Sequence, residues 1–237
     1  MCRENEVELV NEFKYLGITF DSLLNFNSHI DSVVSRVSSA IGCLLYIKRF
    51  LSLHTFNILL NSFVLSIIDY GFTIWGNVCK SKLHILQSKI NFILGSFFHP
   101  QIINKFQKLN RISHSISKLK YRSVSLNYFD LYEKCNILTV SERLKYFYAI
   151  FVFKSLQFTH IPELTNIFKG CQSPRSHNFI LPFHHTEFYT KSVVYQSMSL
   201  WNDLPCGNKD LTLSLSKFLT LLNSWLIDKR MSDFVSI

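Results

Sequence analysis

The sequence predicts a mostly α protein, with a short N-terminal β-hairpin followed by a helical bundle and a helical C-terminal region. Three observations carry this reading. Apolar residues recur at helical spacing through most of the chain. Only 7 Gly and 5 Pro occur in 237 residues, too few for the many tight turns of an all-β sandwich or propeller. The same scarcity argues against a Rossmann fold. Hydrophobic content is 48% and charged content 17%, which excludes an intrinsically disordered chain and supplies a sizeable core.

Residues 6–20 alternate as strands do: Val7, Leu9, Phe13, Tyr15, Ile18 and Phe20 stand between polar or small residues. Asn11-Glu12 is the expected turn, and Gly17 the expected bulge or close approach. Asn27-Ser28 is the expected N-cap of a helix with Ile30, Val33, Val34, Val37, Ile41, Leu44 and Leu45 on one face. Leu51-Ser52 ends it. A second helix from near Ser52 places Phe56, Leu59, Leu60, Phe63, Val64, Ile67 and Ile68 on its apolar stripe. A third, from about Ser81, carries Leu83, Leu86, Ile90, Ile93, Leu94 and Phe97. Short links imply an antiparallel cluster of these three.

Residues 99–128 are basic and less periodic and read as a mobile connection, with or without one helix in it. Helical pattern returns at Ser141 with Leu144, Phe147, Tyr148, Phe151 and Val152, and Ile161-Pro162 breaks it. Residues 170–186 read as irregular. A helix from about Thr190, with Val193, Val194, Ser197, Leu200 and Trp201, stops before Pro205. The last helix starts near Ser214 and carries Leu215, Phe218, Leu219, Leu222, Trp225 and Leu226. The resulting segments are 1–26, 27–98, 99–140 and 141–237.

The net charge is +9, from 25 Lys and Arg against 16 Asp and Glu. From Tyr70 to Phe129 there is no Asp or Glu. That stretch holds Lys80, Lys82, Lys89, Lys105, Lys108, Arg111, Lys118, Lys120 and Arg122, so it accounts for the whole excess. The nine are the candidate nucleic-acid-binding residues; the competing reading is a set of ordinary solvated helix faces.

No catalytic residue is assigned. Walker, G-x-G-x-x-G, G-x-S-x-G and H-E-x-x-H motifs are absent. No metal or other cofactor is expected: the six Cys lack a C-x-x-C pair, and Cys171, His177, His184, His185 and Cys206 match no known ligand spacing. Two-metal chemistry needs converging carboxylates. Asp21, Asp31 and Asp69 fall on separate elements, Asp31 favouring a helix N-terminus and Asp69 an anchoring contact. The best membrane candidate, Thr55–Trp75, is interrupted by Asn57, Asn61, Ser62, Ser66 and Asp69. No secretory leader pattern stands at Met1, so an intracellular location, nucleus or cytoplasm, is expected.

Five motifs then stand in a telling order. Phe13-Lys14-Tyr15-Leu16-Gly17-Ile18 precedes Asp21 and Asn27-Ser28-His29-Ile30. Ile68-Asp69-Tyr70-Gly71 and Ile74-Trp75-Gly76 follow. Near the end come Ser199-Leu200-Trp201-Asn202-Asp203-Leu204-Pro205 and Ser214-Leu215-Ser216-Lys217-Phe218. This order resembles the C-terminal part of the reverse transcriptase of non-LTR (LINE-type, jockey-like) retrotransposons, over almost the whole chain from Val7 to Leu226. The resemblance implies a hairpin remnant of the palm edge, a thumb-like helical bundle and a helical tail. The family's catalytic aspartates lie upstream of the K-Y-L-G-I-like strand, so it implies a fragment without an active site. Its expected partner is the RNA or DNA backbone, bound weakly and without sequence preference. The alternatives are a helical structural or interaction protein, or a membrane-associated helical protein.

Overall fold

A computed structural model describes residues 10–77, 80–98, 128–157, 161–173, 176–183 and 186–235. The chain is mostly α-helical, with one two-stranded antiparallel hairpin among the described residues. It divides into two compact units, Met1–Gly71 with Val78–Tyr128, and Phe72–Asn77 with Phe129–Ile237.

In the first unit, strands β1 (Glu12–Tyr15) and β2 (Ile18–Asp21) pair Glu12 with Asp21, Phe13 with Phe20, Lys14 with Thr19 and Tyr15 with Ile18. The turn is therefore Leu16-Gly17, not Asn11-Glu12. Both turn residues have positive φ, 46° and 83°, as a two-residue hairpin loop requires. Glycine meets this requirement at no steric cost, whereas leucine needs support. That support comes from Tyr70, whose hydroxyl donates to the Leu16 carbonyl at 2.5 Å.

After β2 the chain makes a strained link, with Leu24 and Phe26 both at positive φ. The Asp21 carboxylate holds it by accepting the amides of Leu23 (3.0 Å), Asn25 (2.9 Å) and Phe26 (2.6 Å). Phe26 occupies the cap position of α1 (Asn27–Ile47) with no side-chain cap bond. The expected cap at Asn27-Ser28 is thus inside the helix, because Asp21 already fixes the entry. Ser28 Oγ instead reaches the Glu12 carboxylate at 3.3 Å.

The α1 stripe buries Ile30, Val33, Val37, Ile41 and Leu44. His29 lies on the same helix, and its Nδ1 accepts the Thr19 amide of β2 at 3.4 Å. After a 3₁₀ turn (Lys48–Phe50), Ser52 caps α2 (Leu53–Leu59) by accepting the Thr55 amide. By length and composition alone, Asn27–Phe50 is apolar enough to cross a membrane; it is not the segment singled out from the sequence.

The helix that continues α2 departs from the expected stripe. Leu60–Leu65 is a π-turn, followed by α3 (Ser66–Asp69). The Ser66 amide donates to Asn61, five residues back, and the Ser66 hydroxyl takes up the Ser62 carbonyl instead. The wider turn brings the buried residues to Phe56, Leu60, Val64 and Ile68, four apart, with Leu65 beside them. Phe63, expected on the stripe, is 58% exposed. α5 (Lys80–Phe98) closes this unit with Leu86, Ile90, Ile93 and Leu94 buried. Phe97 stacks on Phe56 at 3.9 Å, and Lys48 Nζ donates to the Ser96 carbonyl at 2.8 Å.

In the second unit, α4 (Phe72–Trp75) is followed after the return of the chain by α6 (Tyr128–Cys135), α7 (Val140–Gln157), α8 (Pro162–Cys171), α9 (Glu187–Thr190), α10 (Val193–Asp203) and α11 (Leu215–Val235). α7 is the central helix, packed by α4, α8, α10 and α11. Thr139 and Glu142 form a reciprocal cap at its start: the Thr139 amide donates to Glu142 (2.8 Å) and the Glu142 amide to Thr139 Oγ1 (3.4 Å). α6 falls in the 99–140 segment, whose basic composition predicts a connection, and α8 begins at Pro162, where the sequence predicts only a break. Proline suits a first helical turn because its missing N–H would have no partner there.

The core of this unit is an aromatic circuit. Phe151 meets Phe168, Phe168 meets Phe179, Phe179 meets Trp201, Trp201 meets Phe218, and Phe218 stacks on Phe153 at 4.0 Å. It begins and ends on α7. Arg230 of α11 forms a two-pronged ion pair with Glu142 and donates to the Ile137 carbonyl at 3.2 Å.

Two outcomes follow from the first unit. Leu60→Ala should cost about 2–5 kcal/mol, whereas Phe63→Ala should stay within about 1 kcal/mol, both read from denaturation midpoints. The second concerns pH. Burial, then Arg36 and Lys14, lower the His29 pKa. The unfolded chain therefore binds more protons, so stability is full above the unfolded value of about 6.5 and falls as pH drops below it. His29→Gln should flatten the change in urea midpoint between about pH 7.5 and about pH 5.

Candidate nucleic-acid interface

Three of the nine basic candidates lie on described backbone, all on α5. Lys82 and Lys89 are seven residues apart, so they share one side of the helix about 10 Å apart along its axis. Both are half-buried and flank the core stripe. Lys82 Nζ donates to Asp31 of α1 at 2.5 Å. The stretch without acids along the chain therefore still meets an acid in space. Asp31 lies just beyond the first turn of α1, and its partner is Lys82 as well as any helix dipole. Lys80 opens α5. Lys105, Lys108, Arg111, Lys118, Lys120 and Arg122 lie outside the described residues.

The motifs noted in the sequence come together as packing devices. The Tyr70 ring lies against Gly17, and its hydroxyl against Leu16, so the D-Y-G segment clamps the tip of the K-Y-L-G-I hairpin. In the second unit, a Cβ at Gly76 would sit 2.5 Å from the Phe72 carbonyl oxygen and 2.6 Å from the Phe72 ring. Glycine is therefore required where α4 turns back over Phe72, whose ring packs on Trp75 at 4.7 Å.

The L-W-N-x-L-P segment grips the stretch before α9. Trp201 Nε1 donates to the His177 carbonyl at 3.0 Å. Asn202 accepts the Phe179 amide at 2.7 Å and donates to the Phe179 carbonyl at 2.9 Å, pairing with that backbone as a neighbouring strand would. Lys209, only 4% exposed, donates to Asn178 Oδ1 (2.7 Å) and to the Asn202 carbonyl (2.9 Å). Burial lowers its pKa, against the opposing pull of Cys206 and Asp203. Sequence reasoning missed Lys209, Glu142 and Arg230, since a buried charge looks like a surface one in sequence. The T-x-x-E spacing of Thr139 and Glu142 was the available signal for that cap.

Two of the carboxylates weighed as metal ligands, Asp21 and Asp31, have local tasks. Although desolvation opposes its charge, the amides of Asn25, Phe26 and Leu23 hold the Asp21 carboxyl below its ordinary range. Among the described residues no group of three or more His, Cys, Asp or Glu side chains could hold a metal ion. His184 and His185 lie outside the described residues. Cys43, Cys171 and Cys206 are free thiols. Burial pushes the Cys135 thiol up to about 11, which removes its nucleophilic form near neutrality.

Asn202→Ala should leave the Phe179 amide without its acceptor and cost about 1–3 kcal/mol, measured by urea denaturation. Cleavage between residues 176 and 180 by a limiting protease should quicken at the same time. No family model, curated protein or solved structure matches the chain.

Proposed function

We propose that this chain is a non-catalytic, reverse transcriptase-like fragment of non-LTR retrotransposon type, retaining weak, sequence-independent affinity for RNA or DNA. The observation that carries the reading is the charge distribution: all of the +9 excess lies between Tyr70 and Phe129, a stretch with no Asp or Glu. Phosphate backbones are recognised by such clusters without base contacts. The contact of Tyr70 with Leu16 and Gly17 adds support, because it makes two segments of the resemblance parts of one packed unit. No residue of this sequence matches the family's catalytic aspartates, and Asp21 and Asp31 are engaged within the fold.

A second reading, a protein-interaction module, is favoured by the large apolar side chains left at the surface of the first unit. Tyr46, Phe50 and Phe63 are all exposed. A salt titration separates the two. About four phosphate contacts give a slope of log K against log salt of roughly −3 to −4 on a B-form duplex. Replacing Lys105, Lys108, Lys118 and Lys120 by Gln should flatten that slope while leaving the far-ultraviolet circular dichroism unchanged. Absence of binding at about 50 mM salt, or binding indifferent to the four substitutions, would favour the interaction module.

A further inference from the structure

We propose that the outer edge of β1 is a self-recognition surface, pairing antiparallel with β1 of a second copy across a two-fold axis. The inference is independent of nucleic-acid binding. It starts from the hairpin register. The Ser22 amide donates to the Asn11 carbonyl at 3.0 Å, and hydrogen-bonded pairs alternate along an antiparallel ladder. The bonded pairs inside the hairpin are then Phe13 with Phe20 and Tyr15 with Ile18. The backbone amides and carbonyls of Glu12 and Lys14 consequently point outward, along a strand whose four residues are all exposed.

Of the three self-pairing registers centred on residues 12, 13 and 14, one suits this edge. Outward groups must meet outward groups. Placing Glu12 opposite the partner's Glu12, or Lys14 opposite the partner's Lys14, sets like charges against each other. The remaining register places Glu12 opposite the partner's Lys14 and Lys14 opposite the partner's Glu12. Phe13 then faces the partner's Phe13 at a non-hydrogen-bonded position, where the two Cα atoms stand about 4.5 Å apart and the side chains are closest. Among the described residues no further strand pairs with this edge, and an open strand edge is a template for such an addition.

The apolar face supports the same partner. Phe13 and Tyr15 share a face of the hairpin with Phe20 and Ile18, their cross-strand neighbours. Ile18 is buried and Phe20 packs edge-on against Phe26 at 5.4 Å, but Phe13 is 59% and Tyr15 58% exposed. The covered half of that face belongs to β2 and the uncovered half to β1. A second β1 brings an identical uncovered half alongside, so one four-stranded sheet would form with charge pairs on one face and Phe13 against the partner's Phe13 on the other.

Sedimentation velocity of the full chain from about 2 to about 200 µM tests the proposal, since a dimer must follow mass action. The expected result is a shift toward the dimer mass at the upper end. Lys14→Glu and Glu12→Lys should each abolish the shift, and the double variant Glu12→Lys with Lys14→Glu should restore it. Circular dichroism of each variant checks that the monomer is folded. If a charge variant fails to fold, Phe13→Cys replaces it. On mild oxidation it should form a disulfide-linked dimer well above the level that the parent protein forms through its exposed Cys43 and Cys206, and above that of Lys14→Cys, with residue 13 joined to residue 13 by peptide mapping, because position 13 meets itself within disulfide reach. A chain that stays monomeric throughout, a shift indifferent to the single reversals, or failure of the double variant to restore it overturns the proposal.

Discussion

The apolar stripe of α1 is the constraint on which the first unit depends. Ile30, Val33, Val37, Ile41 and Leu44 recur three or four residues apart along 21 residues of helix. Every other described element of that unit with a substantial interface meets this helix or its immediate neighbours: β2, the 3₁₀ turn, the π-turn, α3 and α5. The hairpin has only two strands, too few to stand alone in water. It is held from three sides, by His29 at Thr19, by Tyr70 at Leu16 and by Asp21 at the entry of α1. In the second unit α7 plays the corresponding part, gathering aromatic rings from α8, α10 and α11.

The fold class was legible because helical periodicity is a property of neighbouring residues. α1, α5, α7, α10 and α11 all lie close to their expected positions, and Ser52 caps where the spacing placed it. The misses have physical causes. The turn at Leu16-Gly17 relies on a tyrosine 54 residues away to support a leucine in a left-handed conformation, and no local pattern carries that. The π-turn is likewise invisible: the sequence places Phe63 and Ile67 on the stripe together with Val64 and Ile68, and only the packed structure keeps Val64 and Ile68 while leaving Phe63 exposed. α6 could have been found, because Tyr128, Leu131, Tyr132 and Cys135 repeat at helical spacing. The basic composition before it obscured that pattern.

The candidate interface was legible only as a census along the chain. Charge counted by sequence ignores what folding brings across. Lys82 belongs to a stretch without acids, yet Asp31 from α1 reaches it. The converse holds for Lys209 and Arg230, basic residues whose charges serve the interior of the second unit. The segment Leu200–Pro205 shows a related limit. Its composition marks it as unusual, but the task of Asn202, imitating a strand for Phe179, needs the spatial partner to be known.

Glu142 has a consequence for the order in which the second unit can be completed. Its carboxylate serves the Thr139 amide at the start of α7 and also Arg230, 88 residues further along. During synthesis α7 emerges long before its distant guanidinium, so the carboxylate must wait, solvated, until the last helix is made. Aromatic rings of α7 can already have found those of α8 by then. Closure around Glu142 is therefore a late event of vectorial folding, and a ribosome stalled before Arg230 would carry a domain with its central helix formed but not yet locked.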